Sequence, residues 1–181
     1  GFDSENLPLA LDFTSLAASS RMFGEATPEL YDAAGTEPIT FNNHVQGITP
    51  ADFAANARLS KFYNVLSTNK DRQGTEFVSC IEAADEDVYV FGIQWHAEKN
   101  VYEWGKNEDG SFYEAIPHTP HAVELEQHMA NTFMSFARMN DNAFADPSDE
   151  EAALIYNYAA NAYDTTPDFM LSYIFPLNWG A

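Results

Sequence analysis

The chemistry in this sequence gathers where its most apolar run ends. Val88-Tyr89-Val90-Phe91-Gly92-Ile93-Gln94-Trp95 leads directly into His96-Ala97-Glu98-Lys99. In an extended segment side chains alternate between faces, so Gln94, His96 and Glu98 are expected to point the same way. A carboxylate two residues from an imidazole can hold the ring in one tautomer and stabilise it once protonated. An imidazole held in this way can activate a thiol and later protonate a departing amine. On spacing alone, a surface hydrogen bond between the two side chains is the commoner reading.

The elements that must position this pair can be read along the chain. Leu7 to Phe13 suits an extended stretch, with Pro8 marking an edge or a strand start. Thr27-Pro28 and Thr49-Pro50 each combine an N-cap with a proline at the first helical position. Pro38 to Asn43 suits a strand leading to His44. Phe62 to Thr68 and Glu76 to Ala83 flank the polar, glycine-ended Asn69 to Gly74, as in a hairpin. Val88 to Trp95, short and rich in β-branched residues, is expected to be a buried central strand. From Thr119-Pro120 to about Asn140 the apolar positions Val123, Leu125, Met129, Phe133, Phe136 and Ala137 turn to helical spacing. Asp146-Pro147-Ser148-Asp149-Glu150-Glu151 opens a further helix, with acids in its first turn, expected to cover Glu150 to Asn157, and a last strand is expected at Tyr173-Ile174-Phe175. Strands followed by helices, with a buried strand before a long helix, indicate an α/β layered domain. The end of its central strand is a usual ligand-binding position.

Composition narrows the function classes. Of 181 residues, 28 are Asp or Glu and 8 are Lys or Arg, a formal charge of -20. Such a surface repels phosphate backbones and argues against nucleic-acid binding. No apolar run is long enough to suggest a membrane span. The single cysteine, Cys80, cannot form an intrachain disulfide. It falls inside an expected strand, with no glycine elbow or helix start to activate it, and reads as structural. His118 and His121 lack a carboxylate or thiol pattern that would complete a metal site and read as cap or surface residues. His128 reads as a helix-surface residue, and Trp95, Trp104 and Trp179 as packing residues. The chain opens on Gly1-Phe2-Asp3, with neither an initiator methionine nor a signal peptide, the start expected of a processed or partial chain.

Wider segments carry a resemblance. Val88 to Lys99 resembles the histidine motif of class I glutamine amidotransferase-like enzymes, and Asn100-Val101-Tyr102-Glu103-Trp104 resembles the gamma-glutamyl hydrolase branch. Ser20 to Phe23, Glu37 to Thr40, Phe62 to Asn69, Glu76 to Ser79, Ala153 to Tyr156 and Tyr173 to Phe175 extend it in order along nearly the whole chain. The resemblance implies a three-layer α/β fold with a central mixed sheet, of which residues 1 to 181 form the C-terminal part of a single domain. It implies hydrolysis of gamma-glutamyl bonds, in folate poly-gamma-glutamates or gamma-glutamyl peptides, by a cysteine–histidine pair. His96 takes the general acid/base position, Glu98 the supporting acid position, and His44 a substrate-site position. No metal or organic cofactor is implied.

The nucleophile belongs to a strand-to-helix elbow that precedes every segment matched here. A nucleophile-bearing N-terminal polypeptide is therefore an expected partner, with a dimer and a vacuolar, lysosomal or secreted location also implied. Ala97 stands where the family usually has proline, and Val45-Gln46-Gly47 replaces an aromatic residue after His44. The alternatives are a glutaminase-type amidotransferase part and a non-catalytic subunit that keeps the fold.

Overall fold

The computed structural model describes residues 1–161 and 172–175. The chain divides into two units, Gly1–Met139 and Asn140–Ala181. The first holds the residues singled out for chemistry. It is α/β, and every strand ladder in it is antiparallel.

Strand β1 (Ser4–Leu9) pairs along one side with β3 (Thr40–His44). Pro8 lacks an N–H to offer a ladder, which fits this edge position. A second sheet runs in the order β2 (Asp12–Phe13), β4 (Tyr63–Lys70), β5 (Glu76–Ala83), β6 (Phe91–Ile93). The β4–β5 hairpin closes as its polar connection indicates. Asp71 accepts backbone N–H groups from Gln73 and Thr75, and Gly74 takes the positive φ of 81° that favours a residue without a Cβ.

Both proline-marked helices form where expected. Helix α1 (Pro28–Thr36) is capped by the Thr27 hydroxyl, which accepts the Leu30 N–H, and α2 (Pro50–Ala55) by Thr49, which accepts the Asp52 N–H. The short α3 (Ala57–Phe62), capped by Asn56, has no counterpart among the sequence expectations. Helix α4 (Lys99–Tyr102) follows the chemical motif, and α5 (Pro120–Ala137) begins at the Thr119 cap. Leu11, Phe23, Leu30, Ile39, Leu66, Cys80, Trp95 and Leu125 make a continuous core joining α1 and α5 to the second sheet. Fully burying one such large side chain contributes about 1.5–3 kcal/mol.

The run Val88 to Trp95 departs from its expected role. The central, most buried strand is β5, while β6 covers three residues and has no strand on its other side among the described residues. Tyr89, Val90 and Ile93 are exposed. Val88 to Val90 instead belong to the connection from β5 to β6, whose turn Arg21 organises. Its guanidinium donates to the carbonyls of Ala83, Asp85, Glu86 and Val88 and lies 5.4 Å from the Phe91 ring centre. The buried Glu82 carboxylate accepts the N–H groups of Arg21 and Met22, fixing this segment from below.

In the second unit, α6 (Pro147–Ala153) opens at the Asp146 cap within the expected acidic segment, and stops short of Asn157, with a 3-10 turn over Ile155–Asn157 following it. Strands β7 (Ala160–Asn161) and β8 (Ser172–Tyr173) pair, giving the expected late strand at Tyr173. Trp179 lies outside the described residues.

A planar fork that serves four carbonyls cannot be replaced by a single ammonium. Arg21→Lys is expected to lower unfolding stability by about 1–3 kcal/mol and to speed amide hydrogen exchange in β6. An unchanged denaturation midpoint would show that the turn does not depend on this fork.

Candidate active site

The two sheets meet where the chemical residues sit. Past β6, the Gln94 N–H still bonds the Ser79 carbonyl at 2.8 Å, but the His96 N–H donates to Phe41 of β3, also at 2.8 Å. This places His96, from the end of one sheet, beside β3 of the other. His44 ends β3, so the fold brings the two histidines to one place.

The His96–Glu98 pair forms, by a different route from strand alternation. Strand β6 ends at Ile93, and residues 97 and 98 make a turn into α4. That turn folds Glu98 back so that His96 Nδ1–H donates to its carboxylate at 2.7 Å. The hydrogen bond sets the tautomer: Nδ1 carries the proton and Nε2 the lone pair. Nε2 makes no hydrogen bond to any described residue, and the ring is partly open to solvent. The Phe41 ring centre lies 6.4 Å from it, tilted by 44°.

His44 is held more tightly. Its Nδ1–H donates to the Gln46 carbonyl at 2.8 Å, and the Phe77 ring stands edge-on at 4.8 Å. A proton arriving at Nε2 would meet Asn42 Oδ1 at 3.3 Å. Burial pushes the His44 pKa below its ordinary value, the Gln46 carbonyl opposes that shift, and the nearby His96 adds to it. The folded-state pKa thus lies below the unfolded one. As pH falls through about 6.5, the unfolded chain takes the proton first, and this residue withdraws stability.

A polar frame surrounds the pair. Lys99 bridges Glu114 at 2.7 Å and Glu103 at 3.1 Å, and Asn43 donates to the other oxygen of Glu114. Burial alone would lower the Lys99 pKa, but the two carboxylates outweigh it and hold it above the usual ammonium value. Asn6, with φ of 51°, presents its amide oxygen to the Ala115 N–H and its own N–H to Asn43. Asparagine tolerates this left-handed conformation better than most residues. Residues 114–115 are thereby fastened against β3.

The remaining candidates are engaged elsewhere. Cys80 is fully buried, accepts the Trp95 indole N–H at 3.3 Å, and has its thiol pKa pushed up by burial. This matches a structural cysteine rather than a nucleophile. His118 stacks on Trp104 at 3.7 Å and donates to the Asn100 carbonyl. His121 donates to Glu37, whose carboxylate raises its pKa against the effect of burial. His128 is half-buried, and its Nε2–H ties α5 to the Met22 carbonyl.

One residue at the site has no counterpart in the sequence expectations. Glu126 lies on the buried face of α5 and accepts the Val101 N–H in the turn after Glu98. Its signal was available, since it is a charged residue on the helical stripe shared by Ala122, Leu125 and Met129.

No family model matches the chain. Curated relatives do. It is 39% identical over 173 residues to the human gamma-glutamyl hydrolase, covering 96% of this chain and 52% of that protein. It is 36% identical over 157 residues to gamma-glutamyl hydrolase B of Dictyostelium discoideum, covering 87% and 43%. A probable gamma-glutamyl hydrolase 3 of Arabidopsis thaliana is 36% identical over 160 residues, covering 87% and 42%. The chain therefore spans about half the length of these relatives.

The electrostatic coupling of the two imidazoles can be measured without turnover. Replacing His96 by Gln removes the neighbouring charge and is expected to raise the His44 titration midpoint, followed by NMR, toward the ordinary value of about 6.5. A midpoint that does not move would show that the rings do not face each other.

Proposed function

Because the chain belongs to the gamma-glutamyl hydrolase family over the half of those proteins that it spans, we propose that it supplies the acid/base half of a cysteine-dependent gamma-glutamyl hydrolase. The observation that carries this reading is the His96 ring, bound at Nδ1 by Glu98 and open at Nε2, beside a second histidine on β3. The substrate class is a gamma-glutamyl chain, either a folate poly-gamma-glutamate or a gamma-glutamyl peptide. A lysosomal, vacuolar or secreted setting accompanies this reading.

The thiol comes from a polypeptide segment other than 1–181. His96 Nε2 takes the thiol proton, and the sulfur attacks the carbonyl carbon of the gamma-amide. Glu98 stabilises the resulting imidazolium through the 2.7 Å hydrogen bond. The proton then passes from Nε2 to the departing amine as the carbon–nitrogen bond breaks, leaving a thioester. Water, deprotonated by the same nitrogen, attacks the thioester, and the sulfur leaves to recover its proton. His44 contacts the bound substrate from β3. Each proton movement runs through one imidazole, and no step calls for a metal or organic cofactor.

The surface beside the motif supports a seat for the thiol-bearing segment. An apolar groove of about 380 Å³ runs between β6 and α5, lined by Phe91, Ile93, Ala97, Met129 and Phe133. With no strand on its outer side among the described residues, β6 offers both a ladder and an apolar wall next to His96.

In the full-length protein, His96→Ala is expected to lower hydrolysis of a gamma-glutamyl peptide at least about a thousandfold while the thermal transition persists. Free glutamine should be a much poorer substrate than the gamma-glutamyl chain. Unchanged turnover in the variant would remove His96 from the reaction, and preferential use of glutamine would favour an amidotransferase part.

A further inference from the structure

Helix α4 has an unusual start. The first N–H groups of a helix lack partners within it, and the N-cap side chain normally accepts one of them from the second or third helical residue. The N-cap of α4 is Glu98, and its side chain makes no capping bond. Its carboxylate is committed to His96 Nδ1 instead.

The cap comes from elsewhere. Glu126, 8% exposed on α5, accepts the Val101 N–H at 2.7 Å. Val101 is the third residue of α4, a position that an N-cap side chain would serve. Asn100 is itself buried, and its side-chain amide donates to the carbonyls of Ile39 and Pro117. The start of α4 is thus pinned from below while Glu98 stays on the outer side of the turn, two-thirds exposed.

We propose that Glu126 is a positioning residue for hydrolysis: it caps α4 in place of Glu98 and so leaves the Glu98 carboxylate on His96. Without it, the half-buried Val101 N–H loses its acceptor. Glu98 already occupies the N-cap position, from which a carboxylate can serve the first-turn N–H groups. Capping α4 and orienting His96 then compete for one side chain. Burial raises the Glu126 pKa, and the neighbouring Glu98 and Glu103 raise it further while the Val101 N–H opposes that shift, so the site carries a costly carboxylate for this task. The inference rests on the hydrolase reading above.

The test uses the full-length protein with a gamma-glutamyl peptide substrate. Glu126→Ala is expected to lower kcat by about tenfold to a hundredfold with KM nearly unchanged. The downfield proton resonance of His96 Nδ1–H should weaken or vanish, a change that a purely structural role for Glu126 would not produce. Glu126→Gln, which keeps an acceptor oxygen, should recover most of both signals. In a Glu98→Ala background, Glu126→Ala should lower kcat no further, because its effect runs through Glu98. Glu126→Asp shortens the reach while keeping the charge, and it should move kcat and the resonance the same way if the Ala variant does not fold.

A folded Glu126→Ala or Glu126→Asp enzyme with unchanged kcat and an intact resonance would overturn the proposal. So would equal losses with and without Glu98. An enzyme that depends on His96 but is indifferent to Glu126 would sink this inference alone. A protein inactive on gamma-glutamyl bonds, or active without His96, would sink the underlying reading, while the resonance would still report on the cap.

Discussion

A 2.8 Å backbone hydrogen bond from the His96 N–H to the Phe41 carbonyl joins the two sheets of the first unit where the chemistry lies. Strand β6 belongs to the four-stranded sheet and β3 pairs with β1, so nothing in either ladder alone sets the distance from His96 to His44. The bond sets it, because the chain leaves the Ser79 side of β5 at Gln94 and crosses to β3 two residues later. Phe41 is fully buried and cannot follow a moving partner. Breaking this bond would leave a buried carbonyl without its donor, which costs about 1–3 kcal/mol. The geometry of the site is therefore tied to the packing of the core.

Around that bond, hydrogen-bonding capacity is divided among carboxylates with different surroundings. Glu82 lies buried under the Arg21 segment and Glu126 under α4, each accepting from the backbone. Glu114 is held by Lys99 and Asn43. Glu98 alone of these four spends its charge on an imidazole. An exposed histidine–carboxylate pair contributes little to stability, so its value is orientation: one tautomer, with a lone pair that no described residue engages. The single thiol of the chain has the opposite surroundings, closed inside the core with its ionised form disfavoured.

Much of the frame was legible in the residues. Threonine–proline pairs marked three helix starts, and in each the threonine hydroxyl accepts a backbone N–H of the first turn. The β4–β5 hairpin followed from a polar connection ending in glycine. The His96–Glu98 contact was also legible, although a turn makes it where strand alternation was expected. The run Val88 to Trp95 was misplaced because apolar residues declare that a surface is to be covered without saying by what. Tyr89 and Val90 went to the connection whose turn Arg21 holds, and Ile93 faces the groove. The meeting of His44 with His96 lay beyond the sequence pattern, since a backbone-to-backbone bond leaves no mark on residue types. Glu126 did leave one, a charge within an apolar helical stripe, but its partner is a backbone N–H group that spacing cannot identify.

The central claim is that the open nitrogen of His96 faces a sulfur carried by another stretch of the protein. The most direct measurement is the rate at which iodoacetamide alkylates the full-length protein across pH, with and without His96. A thiol paired with this imidazole should react well below the ordinary thiol pKa of about 8.5, at a site other than the buried Cys80, and His96→Ala should shift that reactivity up to the ordinary range. Alkylation with the same pH profile in both proteins would contradict the account.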